Sequence, residues 1–200
     1  APNWDAVLYL QKIWPLIRKQ LPQAELHIYG SYPPPKATAL NNPKTGFLIK
    51  GWADDAYEVM QNARICLAPL RFGAGIKGKL LEAMIMQTPS ITTPIGSEGM
   101  HNTLPWPGVV TADAQAFADA AVSLYNNEAK FSEAQAAGNL LLNTLYDKVQ
   151  LSAQLIEKID SISSNLDAHR MKNFTGQMLK HHTMRSTQYM SQWIAEKNKK

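Results

Sequence analysis

The eight residues ARICLAPL at 63–70 restrict the fold more than any other stretch of the chain. Apolar side chains occupy both alternating sets of positions. A strand with one wet face alternates apolar and polar residues, whereas a strand covered by helices above and below does not. Four further segments have strand character: AELHIYG (24–30), TGFLIKGW (45–52), PSITTPIG (89–96) and GVVTA (108–112). Helical patterns separate them. That alternation predicts an α/β fold, a parallel sheet with helices on both faces.

The helices are read from spacing. Residues 3–20 repeat apolar positions at Ala6, Leu10, Ile13 and Ile17, with Asn3 as cap and Asp5 in the first turn. Pro15 predicts a kink or break near Trp14. Asp54 or Asp55 starts a short helix to about Asn62, and another helix runs from about Ile76 to Met86. Asp113 caps a helix carrying Phe117, Ala121 and Leu124. Residues 127–161 are helical throughout, with Leu145, Val149 and Ile156 on one stripe. Residues 163–200 form a polar, basic helical extension bearing Phe174, Met178, Tyr189 and Trp193. The expected organisation is therefore one α/β domain over 1–162 and a C-terminal extension over 163–200.

Composition narrows the class. A hydrophobic share of 45% with 18% charged residues is globular, not disordered. The single cysteine, Cys66, excludes an internal disulfide and fits a reducing compartment. No run approaches the ~20 apolar residues of a membrane span, and APNWDAVLYL carries no secretory signal pattern. A cytoplasmic protein is expected, and the missing initiator Met suggests a processed product or a piece of a longer chain. Net charge is +4, but residues 168–200 hold seven Lys and Arg against Glu196 alone, leaving the rest of the chain near −2. A basic tail suits an anionic membrane surface, nucleic acid or an acidic partner face. It carries no nucleic-acid recognition motif.

Chemistry concentrates in 63–99. A buried strand leads into a glycine-rich turn and then a helix whose N-terminus lies at the carboxyl edge of the sheet, where open parallel sheets bind ligands. Gly73, Gly75 and Gly78 allow close backbone approach, and the unpaired N–H groups of a first helical turn suit a phosphate. Arg71, Lys77 and Lys79 add positive charge. Glu82 shares the helix face of Gly75 and Gly78, ~9 Å along the axis from Ile76, about one sugar ring from a phosphate at the helix start. A carboxylate there can accept two hydrogen bonds from ribose hydroxyls. The arrangement suits a nucleotide diphosphate. Each part also has a plainer reading: a solvated lysine pair, an exposed helix acid, a common strand–helix turn. Their clustering favours the ligand.

This run resembles the donor-binding half of retaining glycosyltransferases of family 4, which have the two-Rossmann-domain (GT-B) architecture. PNWDAV…WPLIRKQLPQAELHIYGS is similar to that family's first helix and second strand, FLIKGWADD to the next strand and loop, and TTPIGSEGM to the glycine loop after the helix. The resemblance covers roughly residues 1–145 and implies a Rossmann-like sheet. It implies that Glu82 holds the donor ribose and that Gly75, Ile76 and Lys77 contact the diphosphate by backbone. Gly30 and Ser31 match a turn facing the phosphates, and Gly51 and Trp52 a segment bordering the nucleobase. Ser97 and Glu98 are candidates for the donor sugar. The family's other glutamate falls here on Ala74, within GAGIKGK. Glu82, Lys77 and Arg71 are the residues expected to serve catalysis, the cations by stabilising the departing diphosphate. The donor, a nucleotide diphosphate sugar, is a substrate, and no cofactor is implied.

The resemblance also implies that an acceptor-binding domain and the central first strand of the sheet precede residue 1. A chain without them leaves two unpaired strand edges, so a rearranged sheet or dimer pairing is expected, and inactivity in isolation. The tail then has three readings: packing on the absent domain, contact with an anionic membrane on the inner face, or a solvated helix. No metal constellation stands out. Cys66 is alone, Asp54 and Asp55 suit a helix cap, and His181 and His182, being adjacent, diverge on a helix. The reading from a different class is a non-catalytic module that binds a nucleotide or docks a partner.

Overall fold

The computed structural model describes residues 2–180 and 185–199. They form two compact units, Ala1–Asp147 and Lys148–Lys200.

The first unit alternates strands and helices. Helix α1 (Pro2–Gln20) leads to strand β1 (Leu26–Tyr29), the single turn α2 (Pro35–Thr38), β2 (Phe47–Gly51) and α3 (Ala56–Gln61). Then come β3 (Cys66–Ala68), α4 (Gly78–Ile85), β4 (Ser90–Thr92), the single turn α5 (Pro94–Ser97), β5 (Gly108–Val110), α6 (Ala114–Asn126) and α7 (Glu128–Leu145). All strand pairs are parallel. The fold is mixed α/β, with parallel sheets between helices, as the alternating pattern predicts.

Both faces of β3 are covered. On one side Leu67, Ile91 and Val109 join a core built from Ile13, Trp14 and Ile17 of α1 and Phe117, Ala118 and Ala121 of α6. On the other, Cys66, Ala68 and Val110 pack against Leu80 and Met84 of α4 and Leu141 of α7. Burying an aliphatic side chain of this size contributes about 1.5–3 kcal/mol, so truncating the fully buried Ile13 to Ala costs about 2–5 kcal/mol.

The strands do not make one sheet. β1 and β2 form a pair, and β3, β4 and β5 form a three-stranded sheet in that order. The first core nevertheless spans both, because Leu26, Ile28 and Phe47 join it alongside Leu67 and Ile91. Leu26 and Gly30 donate to Gly46 and Gly51 on the β2 side, so the intervening His27 and Tyr29 point their N–H groups away from β2. Cys66 donates to Pro89 on the β4 side, so Leu67 points its N–H away from β4. Among the described residues no strand bridges these two inner edges. The outer edge of β2, by contrast, is occupied: the Ile49 N–H donates to Asn41 Oδ1 at 2.9 Å, and Asn42 bridges Phe47.

Several local expectations are corrected. α1 begins at Pro2, where a proline has no N–H to lose, so Asn3 sits inside the helix and not at its cap. The helix continues through Pro15 without a break. The carbonyl left without a partner belongs to Gln11, and both residues face solvent, where water can serve it. The strand expected over 89–96 ends at Thr92, because the Thr93 hydroxyl caps α5 by accepting from the Gly96 N–H, which places Gly96 in a helical turn. The helix expected over 127–161 is divided at Tyr146 and Asp147, where the first unit also ends.

The second unit contains α8 (Lys148–Ser164), α9 (Leu166–Met171), α10 (Phe174–Lys180) and α11 (Arg185–Lys197). None of its described residues is buried. No described helix is long and apolar enough to cross a membrane.

Candidate functional site

Three side-chain contacts bring the carboxyl ends of both sheets to one end of α1. Lys36, in the single turn α2 that follows β1, lies 4.5 Å over the Trp4 ring. Arg71, in the loop after β3, pairs with Asp5. The Tyr9 hydroxyl donates to the Ala112 carbonyl, just beyond β5, at 3.2 Å. The loops after β1, β3 and β5 therefore share one edge with the first turns of α1.

At the centre of that edge is 71–79. Gly73 and Gly75 have φ of 152° and 72°, a region that side chains other than glycine rarely enter. A Cβ at Gly75 would meet nothing within 4 Å, so backbone conformation and not crowding demands the glycine. From Gly73 to Lys79 no backbone N–H donates to a protein acceptor among the described residues. Lys77 stands at the N-cap of α4 with no side-chain cap bond. Its chain runs by Gly73, where a Cβ would lie 4.0 Å from Lys77 Cε. Its Nζ is buried and has no hydrogen-bond partner. An ammonium in that condition costs free energy unless something anionic completes it. Ile76, expected as the first helical residue, lies two before the helix, so the segment of free N–H groups is longer than a helix end alone supplies.

The other charges are paired. Arg71 Nε donates to Asp5 Oδ2 at 2.9 Å, and Nη2 donates to Oδ1 in a two-point fork. The guanidinium lies 5.3 Å from the centre of the Tyr9 ring. This hydrogen bonding with Arg71 holds the Asp5 carboxyl below the usual range, and Asp5 in turn raises the Arg71 guanidinium. Lys79 Nζ donates to Glu82 Oε2 at 2.7 Å. Of three cations expected to converge, Lys77 alone is without a partner among the described residues.

The remaining candidates are distributed along the same edge. Gly30 follows β1 and donates to Gly51 at 2.7 Å, with Ser31 next and exposed. Gly51 ends β2 with φ 75°. Trp52 is 68% exposed, and its indole N–H donates to Asp54 at 3.1 Å. Ala74 is exposed within the loop. Ser97 is buried, its hydroxyl donating to the Pro94 carbonyl, while Glu98 is exposed beyond it. Asp55, and not Asp54, caps α3 by accepting from the N–H groups of Tyr57 and Glu58. His181 and His182 lie outside the described residues. Burial pushes the Cys66 thiol up to about 11, as suits a packing residue.

Sequence reasoning missed Asp5 and Trp4 as members of this edge. Their partners lie far along the chain, 66 residues away for Asp5, and such pairs leave no periodic trace. Trp4 in the first helical turn, off the apolar stripe, was the available signal.

A family model described as glycosyl transferases group 1 matches residues 1–127. The chain belongs to that family. Solved structures agree on the fold, which is that of a GT-B glycosyltransferase domain. One is a point mutant of S. aureus TarM in complex with Fondaparinux, alpha-GlcNAc-glycerol and UDP, with TM-score 0.64, 16% identity, and coverage of 78% of this chain and 33% of that one. Another is the pneumococcal O-GlcNAc transferase GtfA in complex with UDP and GlcNAc, with TM-score 0.59, 17% identity, and coverage of 77% and 32%. The chain thus spans about a third of each. No curated protein sequence matches it.

Proposed function

We propose that this chain is the donor-binding, C-terminal half of a family 4 glycosyltransferase that moves a sugar from a nucleotide diphosphate sugar to an acceptor with retention of configuration and without an obligatory metal. The observation that carries the reading is the buried, unpartnered Lys77 ammonium beside seven consecutive unbonded N–H groups. A diphosphate would complete both at once: backbone N–H groups of Gly75, Ile76 and Lys77 on its oxygens, with the Lys77 charge against it. Preorganised donors of this kind stabilise charge as it develops on a departing diphosphate. Glu82, on the next turn of α4, would take the ribose in exchange for its bond to Lys79, and Trp52 would border the base. UDP is bound in both solved relatives, which makes it the first nucleotide to try.

In this proposal the acceptor-binding half precedes residue 1, together with a strand that lies between β1 and β3 and leads into α1. The open inner edges of both strands support it. The isolated chain would then be inactive. Its domain would extend over 1–162, with 163–200 as an appendage that packs on the preceding half. The protein would work in the cytoplasm, with the basic tail near the inner membrane face and dimer pairing as another way to cover the open edges.

Calorimetric titration with UDP, GDP and ADP tests the reading. One nucleotide is expected to bind and to weaken in Lys77→Ala and Glu82→Ala. A folded chain that binds none of them refutes it. A non-catalytic nucleotide-binding module is the second reading, favoured by Ala74 standing where the family has a carboxylate. Loss of transfer by the longer protein carrying Glu82→Ala would favour the enzyme over that module.

A further inference from the structure

We infer that Asp5 is a positioning residue for anion binding at the carboxyl edge, acting through Arg71. The inference rests on the proposed nucleotide site. Arg71 begins the glycine loop, and its guanidinium side chain is about half exposed. An arginine so placed samples many rotamers, and binding an anion would have to freeze them. Asp5 removes that freedom in advance. Its carboxylate, with only 17% of the side chain exposed, engages Nε and Nη2, while the Tyr9 ring lies against the guanidinium. Among the described residues Nη1 keeps no hydrogen-bond partner, so one edge of the planar fork remains for a ligand.

Asp5 belongs to the first turn of a 19-residue helix whose Leu10, Ile13, Trp14 and Ile17 are buried. The brace is therefore anchored in the core, while the loop it steadies has glycines at 73 and 75 and ends where Gly78 opens α4. The opposing physical effect is Coulombic: a carboxylate near an anion site repels the anion. The two effects give opposite signs for one substitution, and that decides between them.

The measurement is UDP titration of the protein carrying Asp5→Asn, Asp5→Glu, Arg71→Ala and the Asp5→Asn/Arg71→Ala pair. Asp5→Asn is expected to weaken UDP roughly tenfold, the size of one lost charge-assisted hydrogen bond. Asp5→Glu is expected to restore affinity to within about twofold, since the charged fork can re-form. The double variant should be no weaker than Arg71→Ala, because Asp5 acts only through that side chain. Amide hydrogen exchange over 71–77 should quicken in Asp5→Asn without nucleotide. Unchanged or tighter UDP binding by Asp5→Asn, or additive losses in the pair, overturns the inference while leaving the nucleotide site intact. A wild-type protein that binds no UDP, GDP or ADP overturns both. Should Asp5→Asn not fold, Arg71→Lys carries the test: it keeps the charge and loses the fork, and unchanged UDP affinity there overturns the inference equally.

Discussion

Two helix beginnings in the first unit are built on opposite principles. α6 starts at Asp113, whose carboxylate accepts from the Ala116 N–H at 2.8 Å. α3 and α7 do the same with Asp55 and Asn127. α4 starts at Lys77, which cannot accept a hydrogen bond and offers no cap. Where the chain satisfies its own helix end, an acidic or amide side chain stands at the cap. Where it does not, three glycines and a buried ammonium stand instead. The contrast sets α4 apart among these helices, and the proposed nucleotide site rests on it.

Exchanging the two principles gives the largest effect. Lys77→Asp supplies α4 with a cap and reverses the local charge. It is expected to raise stability by about 1 kcal/mol, by the usual worth of an N-cap, and to abolish nucleotide affinity by about 3 kcal/mol or more. Denaturant unfolding and calorimetry read the two parts separately. Stability that falls, or binding that persists, breaks the contrast. Next, Gly75→Ala should cost about 1–2 kcal/mol through its positive φ alone, since no neighbour crowds that position. The shift in thermal midpoint measures it. Asp113→Ala should cost about 1 kcal/mol and leave UDP affinity unchanged; a loss of binding would show that α6 serves the site after all. The smallest effect belongs to Lys79→Ala. Its exposed pair with Glu82 is a surface i,i+3 contact, so stability should move by less than about 0.5 kcal/mol.

How much of this could be read from residues depends on the range of the interaction. The double-faced strand within 63–70, shortened in the fold to Cys66–Ala68, the caps at Asp55 and Asp113 and the glycine loop are local patterns with local causes. The uninterrupted passage of α1 through Pro15 was not legible, because a proline's cost depends on whether the orphaned carbonyl reaches water. Nor was the pairing of the site's charges. Spacing places Arg71, Lys77, Lys79 and Glu82 near one another, but it cannot say that Arg71 finds Asp5 across the fold while Lys77 finds no partner among the described residues. The break at Tyr146 and Asp147 was hidden too, since helical periodicity continues on both sides of it.

The inner edges of β1 and β3 bear on how the isolated chain behaves at high concentration. Among the described residues His27, Tyr29 and Leu67 offer backbone donors with no strand to receive them, and β3 carries the apolar residues of an interior strand. Such edges are templates for any extended segment that drifts past, including one from another copy. Preparations of the lone chain should therefore cloud as they are concentrated. Light scattering against dilution would reveal the association, and lysines at positions 27 and 29 should suppress it by making the β1 edge unwelcoming.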